Sequence, residues 1–99
     1  MILITGTVLA RPDTAAEVQR LSLEHVHRSR AEAGCISHDV HTDVENALRF
    51  VFVERWVDMG SVQAHFAVPA SREFAHALGG LAAEKPVMNV YRVESMEVG

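Results

Sequence analysis

Residues 48–57, Leu-Arg-Phe-Val-Phe-Val-Glu-Arg-Trp-Val, constrain the fold more than any other stretch of the chain. β-branched and aromatic side chains dominate, so the segment reads as a strand. Alternation places Phe50, Phe52 and Trp56 on one face and Val51, Val53 and Val57 on the other. A strand apolar on both faces belongs inside a sheet and needs a cover on each side. Helices of a chain of 99 residues can cover one of those faces. The other would present a wider apolar patch than a monomer usually carries, so a second copy packed sheet to sheet is expected, giving a homodimer.

The remaining segments supply the helices and partner strands. Residues 2–10 are rich in β-branched and apolar residues and stop at Arg11-Pro12, which predicts a first strand. Thr14 and Glu17 have capping-box spacing at the head of a helix expected to run to about Ala33, with Ala15, Val18, Leu21 and Val26 as apolar positions and Gly34 as its stop. Residues 35–43 form a more polar strand, and 44–47 a turn. Asp58 can cap a short helix with Met59, Val62 and Phe66. Val68-Pro69 breaks it, because a residue before proline leaves the helical region. A second short helix carries Phe74, Ala77, Leu78 and Leu81, weakened near its end by Gly79-Gly80, and Pro86 opens a last strand over 87–98. The order predicts an α+β, ferredoxin-like βαββαβ domain over 1–99. Its antiparallel sheet has helices on one face and the first and third strands in the middle. The second strand, with His38, Asp39, His41 and Asp43, suits an edge.

Composition narrows the partners. The net charge is −4 with histidine neutral, and the nine Lys and Arg are scattered without a basic run, which disfavours nucleic acid and anionic membrane. No stretch approaches the roughly 20 apolar residues of a membrane span. The N-terminal apolar run is short and lacks a basic flank, so no signal peptide is expected. The single cysteine, Cys35, builds no internal disulfide and fits a reducing cytoplasm.

Familiar catalytic signatures are absent. There is no phosphate loop, dinucleotide fingerprint, HExxH or CxxC. His25 and His27 are two apart on a helix, about 200° around its axis, and His38 and His41 face opposite sides of a strand, so neither pair chelates one metal; no metal or cofactor is expected. The unusual feature is Glu54, set between Phe52 and Trp56 on the helix-facing side of the third strand. A carboxylate there needs a partner or carries a raised pKa. His65, three residues past Val62, can point toward this face, and His38, flanked by Ile36 and Val40 on the neighbouring strand, can join it. The plain alternatives are a structural His65 bonded to Glu54, a core Trp56 and a solvated or structural His38. His25, His27, His41 and His76 are expected to be exposed, and Cys35 to be a buried, inert thiol.

These residues resemble a known family. Ser29-Arg30-Ala31-Glu32-Ala33-Gly34-Cys35 is similar to the helix-to-strand junction of antibiotic biosynthesis monooxygenase domains, where Glu-Pro-Gly-Cys is common. Phe50-Val51-Phe52-Val53-Glu54-Arg55-Trp56 resembles their F-x-x-x-E-x-W strand. Gln63-Ala64-His65-Phe66 with Pro69 and Phe74 resembles their A-H-x-x-(S/T)-P-H-x-x-x-(F/Y) segment. The likeness covers nearly the whole chain and extends to quinol-monooxygenase-like members of the dimeric α/β barrel superfamily. It implies a pocket between sheet and helices and carries over Glu54, Trp56 and His65. The chain departs at Ala33 for proline, at Ala70 for the second histidine and at His38 for a frequent tyrosine. An asparagine typical of haem-degrading relatives has no counterpart among Thr5, Gly6 and Thr7.

What the resemblance implies is a cofactor-free monooxygenase acting on a small electron-rich aromatic such as a hydroquinone or anthrone. Phe52, Trp56 and Phe74 would form the slot and His38 would bond a substrate oxygen. His65 would be the base, with Glu54 holding its tautomer. An isomerase or tautomerase of a small metabolite, using the same His and Glu, would turn over without oxygen. A non-catalytic dimeric binding module would bind a small ligand without product.

Overall fold

A computed structural model describes residues 1–98. The elements are β1 (Ile2–Leu9), α1 (Ala15–Ser29), β2 (Cys35–Asp43), β3 (Asn46–Trp56), α2 (Met59–Ala67), α3 (Pro69–Leu81) and β4 (Val87–Arg92). They form a four-stranded sheet in the order β2-β3-β1-β4, antiparallel throughout. The expected βαββαβ plan is therefore the observed one, with β1 and β3 central and β2 at an edge. Among the described residues no helix is long and apolar enough to cross a membrane.

Alternation along β3 sorts the two faces as anticipated. Phe50, Phe52, Glu54 and Trp56 are buried beneath the helices, while Val57 is half-exposed just beyond the strand. On β1, Ile2, Ile4 and Val8 share the inner face. Two apolar clusters result. Val8, Val18, Val26, Phe50, Phe52 and Leu78 belong to one, and Ile2, Ile4, Trp56 and Val62 form the other. Glu54 sits on β3 between Phe52 of the first and Trp56 of the second. The polar centre of the molecule is thus held between two hydrophobic anchors.

Several local readings are corrected. Thr14 makes no capping hydrogen bond at the head of α1. Its hydroxyl instead donates to the Leu81 carbonyl at 2.7 Å and accepts from the Arg11 N–H at 3.0 Å, tying the start of α1 to the end of α3. Glu17, freed from a capping box, pairs with Arg20. Helix α1 stops at Ser29, not near Ala33. The last strand ends at Arg92, not Val98. Ile36 does not share the face of His38. A bulge between Cys35 and Ser37 turns Ile36 out to solvent and restores His38 to the inner face opposite Glu54.

Two junctions do follow the sequence. The Asp58 carboxylate accepts the Ser61 N–H at 2.8 Å and caps α2, and Val68 takes an extended conformation that separates α2 from α3. Gly34, at φ +83°, makes the turn into β2, and a Cβ there would overlap the Ser61 side chain.

Candidate functional site

The site begins with β3. Glu54 is cross-strand partner to His38 on β2, so the sheet itself brings the two side chains together. His38 Nε2 lies 3.2 Å from Glu54 Oε1. The geometry falls short of a hydrogen bond, leaving both ring nitrogens of His38 without a hydrogen-bond partner among the described residues. The Trp56 Nε1–H, two residues along the same strand, donates to that carboxylate oxygen at 3.0 Å. Burial pushes the Glu54 carboxyl up, but His38, the indole N–H and His65 outweigh it and hold it below the ordinary carboxylate range. Of the two outcomes expected for a carboxylate between aromatics, it has found partners.

His65 enters from α2, one turn after Val62 buries itself against Trp56 and Ile4. Its Nε2 is 3.9 Å from Glu54 Oε1, too far for Glu54 to fix its tautomer. Glu32, in the turn between α1 and β2, takes that role: His65 Nδ1 lies 2.8 Å from Glu32 Oε1. A carboxylate accepts only, so Nδ1 carries the proton and a neutral ring keeps its lone pair on Nε2. The expected Glu54–His65 pair is corrected to a Glu32–His65 pair: Glu32 stands 2.8 Å from the ring, whereas Glu54, 3.9 Å away, accepts from the Trp56 indole N–H.

His25 overturns another expectation. It is 6% exposed rather than solvated. Val18, Ser22, His25, Val26 and Ser29 form the buried stripe of α1, at spacings of three and four residues. His25 stacks on Phe74 of α3 at 4.1 Å between ring centres and 11° between planes. Arg28, three residues along α1, donates to its Nδ1 at 3.0 Å. Burial, then the neighbouring His38, His65 and Arg28, lower the His25 pKa to about 3. Its ring is therefore neutral near pH 7.

A cavity of about 370 Å³ opens beside this group, under α3 and over β1. Phe52, Glu54, His65 and Phe74 line it, with His25 and Leu78. Gly6 on β1, opposite Phe52, leaves its floor without a side chain. Met88 on β4 closes one side, and Arg72 brings a cation to the wall. Most of the lining is apolar, as small-molecule sites commonly are. Of the residues singled out in the sequence, the structure brings Phe52, Glu54, His65 and Phe74 to the cavity. His38 and Trp56 are not on its wall; they lie buried behind Glu54 and His65, where Trp56 sits 4.6 Å from the His65 ring.

Sequence reasoning missed Glu32, His25 and Arg28. The signal for His25 was the 18–22–25–29 spacing, which polar residue types disguise. Glu32 lay inside the Glu-Ala-Gly-Cys junction but carried no visible partner. Cys35 follows that junction half-buried, and burial beside Glu32 and Glu54 raises its thiol pKa.

The comparisons agree with this architecture. The family model described as antibiotic biosynthesis monooxygenase matches residues 1–77. An uncharacterized protein of Synechocystis is 29% identical over 92 residues, 93% of this chain, which spans 63% of that protein's length. A Deinococcus radiodurans protein named as a candidate antibiotic biosynthesis monooxygenase superposes with TM-score 0.94 at 25% identity, covering 100% of this chain and 99% of its own. A Pseudomonas aeruginosa structure gives TM-score 0.83 at 26% identity over 94% of each chain. A Mycobacterium tuberculosis structure, at TM-score 0.90 and 20% identity over 98% of each, shares the fold. With the matched region covering most of the chain and the fold and strand motif in place, the chain belongs to the antibiotic biosynthesis monooxygenase family.

Proposed function

We propose that this protein is a cofactor-independent monooxygenase that oxidises a small electron-rich aromatic, hydroquinone-like or anthrone-like, with dioxygen. The observation that carries the proposal is His65: its Nδ1 proton is held by Glu32 at 2.8 Å, while the ring itself forms part of the wall of an apolar cavity. The lone pair on Nε2 is then free to take a proton from a substrate hydroxyl or activated carbon. Dioxygen reacts slowly with closed-shell organic molecules for reasons of spin, and a substrate anion relieves this by passing on an electron. Phe52 and Phe74, in edge-to-face contact at 6.0 Å, line the cavity and would give a flat ring an apolar wall to lie against. Glu54 faces the cavity, and its negative charge favours the imidazolium that forms on His65. His38 and Trp56 position Glu54 from behind.

The test is oxygen uptake by chelator-treated protein across a panel of hydroquinones and anthrones. Uptake above autoxidation, reduced by about 10²-fold or more in His65→Ala, is expected. Turnover of a substrate at equal rate without oxygen would replace the oxygenase by an isomerase. Saturable binding with no product would leave a binding module.

We further propose that the working unit is a homodimer in the cytoplasm, where the lone Cys35 stays reduced. Leu3, Val51, Val53, Val87 and Tyr91 share the outer sheet face by register, and Val87 and Tyr91 are half-exposed. Packing against a second copy removes that apolar surface from water. Light scattering at micromolar concentration should give twice the chain mass; a monomeric mass sinks the idea.

A further inference from the structure

Three histidines that no local spacing connects converge from three elements: His25 from α1, His38 from β2 and His65 from α2. All are buried, and one ring nitrogen of each lies within 4.8 Å of the others. Their ring centres are 5.2, 5.3 and 5.5 Å apart. Imidazoles bound tetrahedrally to one ion at about 2.0–2.1 Å would hold their ring centres roughly 5 Å apart. The rings therefore already stand at the spacing of a shared ligand set, and their nitrogens, within 4.8 Å of one another, would close to about 3.3 Å around an ion. We infer that His25, His38 and His65 form a binding site for one divalent first-row transition ion of the imidazole-preferring kind, such as zinc.

Two further observations point to a ligand. His38 is 1% exposed; its Nδ1 has no polar partner among the described residues and its Nε2 has only the 3.2 Å contact with Glu54, so a buried ring nitrogen is left unsatisfied. His65 donates its other ring nitrogen to Glu32, the outer carboxylate that commonly orients a metal-bound histidine. Glu54 Oε1, held by the Trp56 indole N–H, borders two of the three histidines, 3.2 Å from His38 Nε2 and 3.9 Å from His65 Nε2. Glu32 and Glu54 oppose the charge of an added cation, and Arg28 is the counterweight. Its contact with His25 Nδ1 must yield when the ion enters, because Nδ1 then holds either the ion or, with the ion on Nε2, the ring proton. Bound metal and a substrate proton would compete for the same lone pair of His65. Zinc binding is read without turnover, so it stands or falls apart from the oxygenase proposal.

The experiment is equilibrium dialysis of chelator-stripped protein against zinc chloride, with cobalt(II) chloride as a spectroscopic probe. One zinc per chain and visible absorption of the intensity typical of four-coordinate cobalt are expected. Affinity should fall at least tenfold in His38→Gln, and about 10- to 100-fold in Glu32→Gln, which removes only the outer carboxylate. Circular dichroism checks that each variant is folded; should His38→Gln fail, His25→Gln takes its place. A triple variant of the exposed His27, His41 and His76 should bind as the parent does. No zinc uptake by the parent, or uptake that survives His38→Gln and disappears in the triple surface variant, overturns the site.

Discussion

Glu32 and His65, 33 residues apart in the chain, meet with a carboxylate oxygen 2.8 Å from Nδ1 of the imidazole. The contact places the proton of a neutral His65 on Nδ1 and its lone pair on Nε2. Glu32→Gln keeps the size of the side chain but removes the charge, and the amide can present a donor to Nδ1. If the protein is the oxygenase proposed above, kcat with a quinol substrate should fall at least about tenfold with little change in KM, because a base in the wrong tautomer still lets substrate bind. Steady-state oxygen uptake decides it; an unchanged kcat removes Glu32 from the mechanism.

Gly6 makes the cavity floor. A methyl group there meets the Val87 carbonyl at 3.5 Å and Phe52 Cβ at 3.7 Å, ordinary contacts. Gly6→Ala should therefore leave the fold intact, with stability changed by no more than about 1 kcal/mol. Gly6→Leu sends a larger chain into the space a ligand needs and should raise KM tenfold or more. Equal KM values for the two variants would place the substrate elsewhere.

Gly34 is fixed by two independent constraints, its φ of +83° and the Ser61 side chain where its Cβ would go. Gly34→Ala should lose at least about 1–2 kcal/mol from backbone strain alone, with the overlap adding to it. Urea unfolding measures the loss. Gly34→Ala combined with Ser61→Gly should recover only the steric part.

Acid should unfold the metal-free protein earlier than its surface charges suggest. The folded His25 pKa, about 3, lies below the value of 6.5 for a free histidine. Between these values the unfolded chain binds more protons than the folded one, so stability rises with pH across that window, by at most about 1.4 kcal/mol per pH unit from this site. Glu54, held below the ordinary carboxylate range, acts in the same direction: its stabilisation is present above the unfolded value and lost as pH falls through the folded one. Urea unfolding at pH 7 and pH 5 with chelator present should show the drop, and His25→Phe should reduce it. An unchanged slope in that variant would assign the acid sensitivity elsewhere.

The candidate site was half legible in the chain. Glu54 and Phe52 announced themselves because β3 alternates cleanly, and a carboxylate on an apolar face stands out. His65 followed from its spacing to Val62. His25 did not, because a stripe of Ser, His and Ser on α1 does not look like a core face until Phe74 is stacked on it. The capping reading of Thr14 failed for a similar reason: the Leu81 carbonyl, 67 positions away, offers its hydroxyl a better partner than the local backbone.

Period-two alternation, proline and glycine breaks and the order of segments are local properties. They determined the βαββαβ plan, the central places of β1 and β3, the edge place of β2, and the position of Glu54 on the helix-facing side. Tertiary packing alone decided that Glu32 and not Glu54 holds His65, that His38 and Trp56 stand behind the cavity, and that three histidines from α1, β2 and α2 share one centre. Those outcomes depend on distances of a few ångströms between elements far apart in the chain. Hydrogen bonds and ring contacts of that kind leave no periodic trace in the sequence.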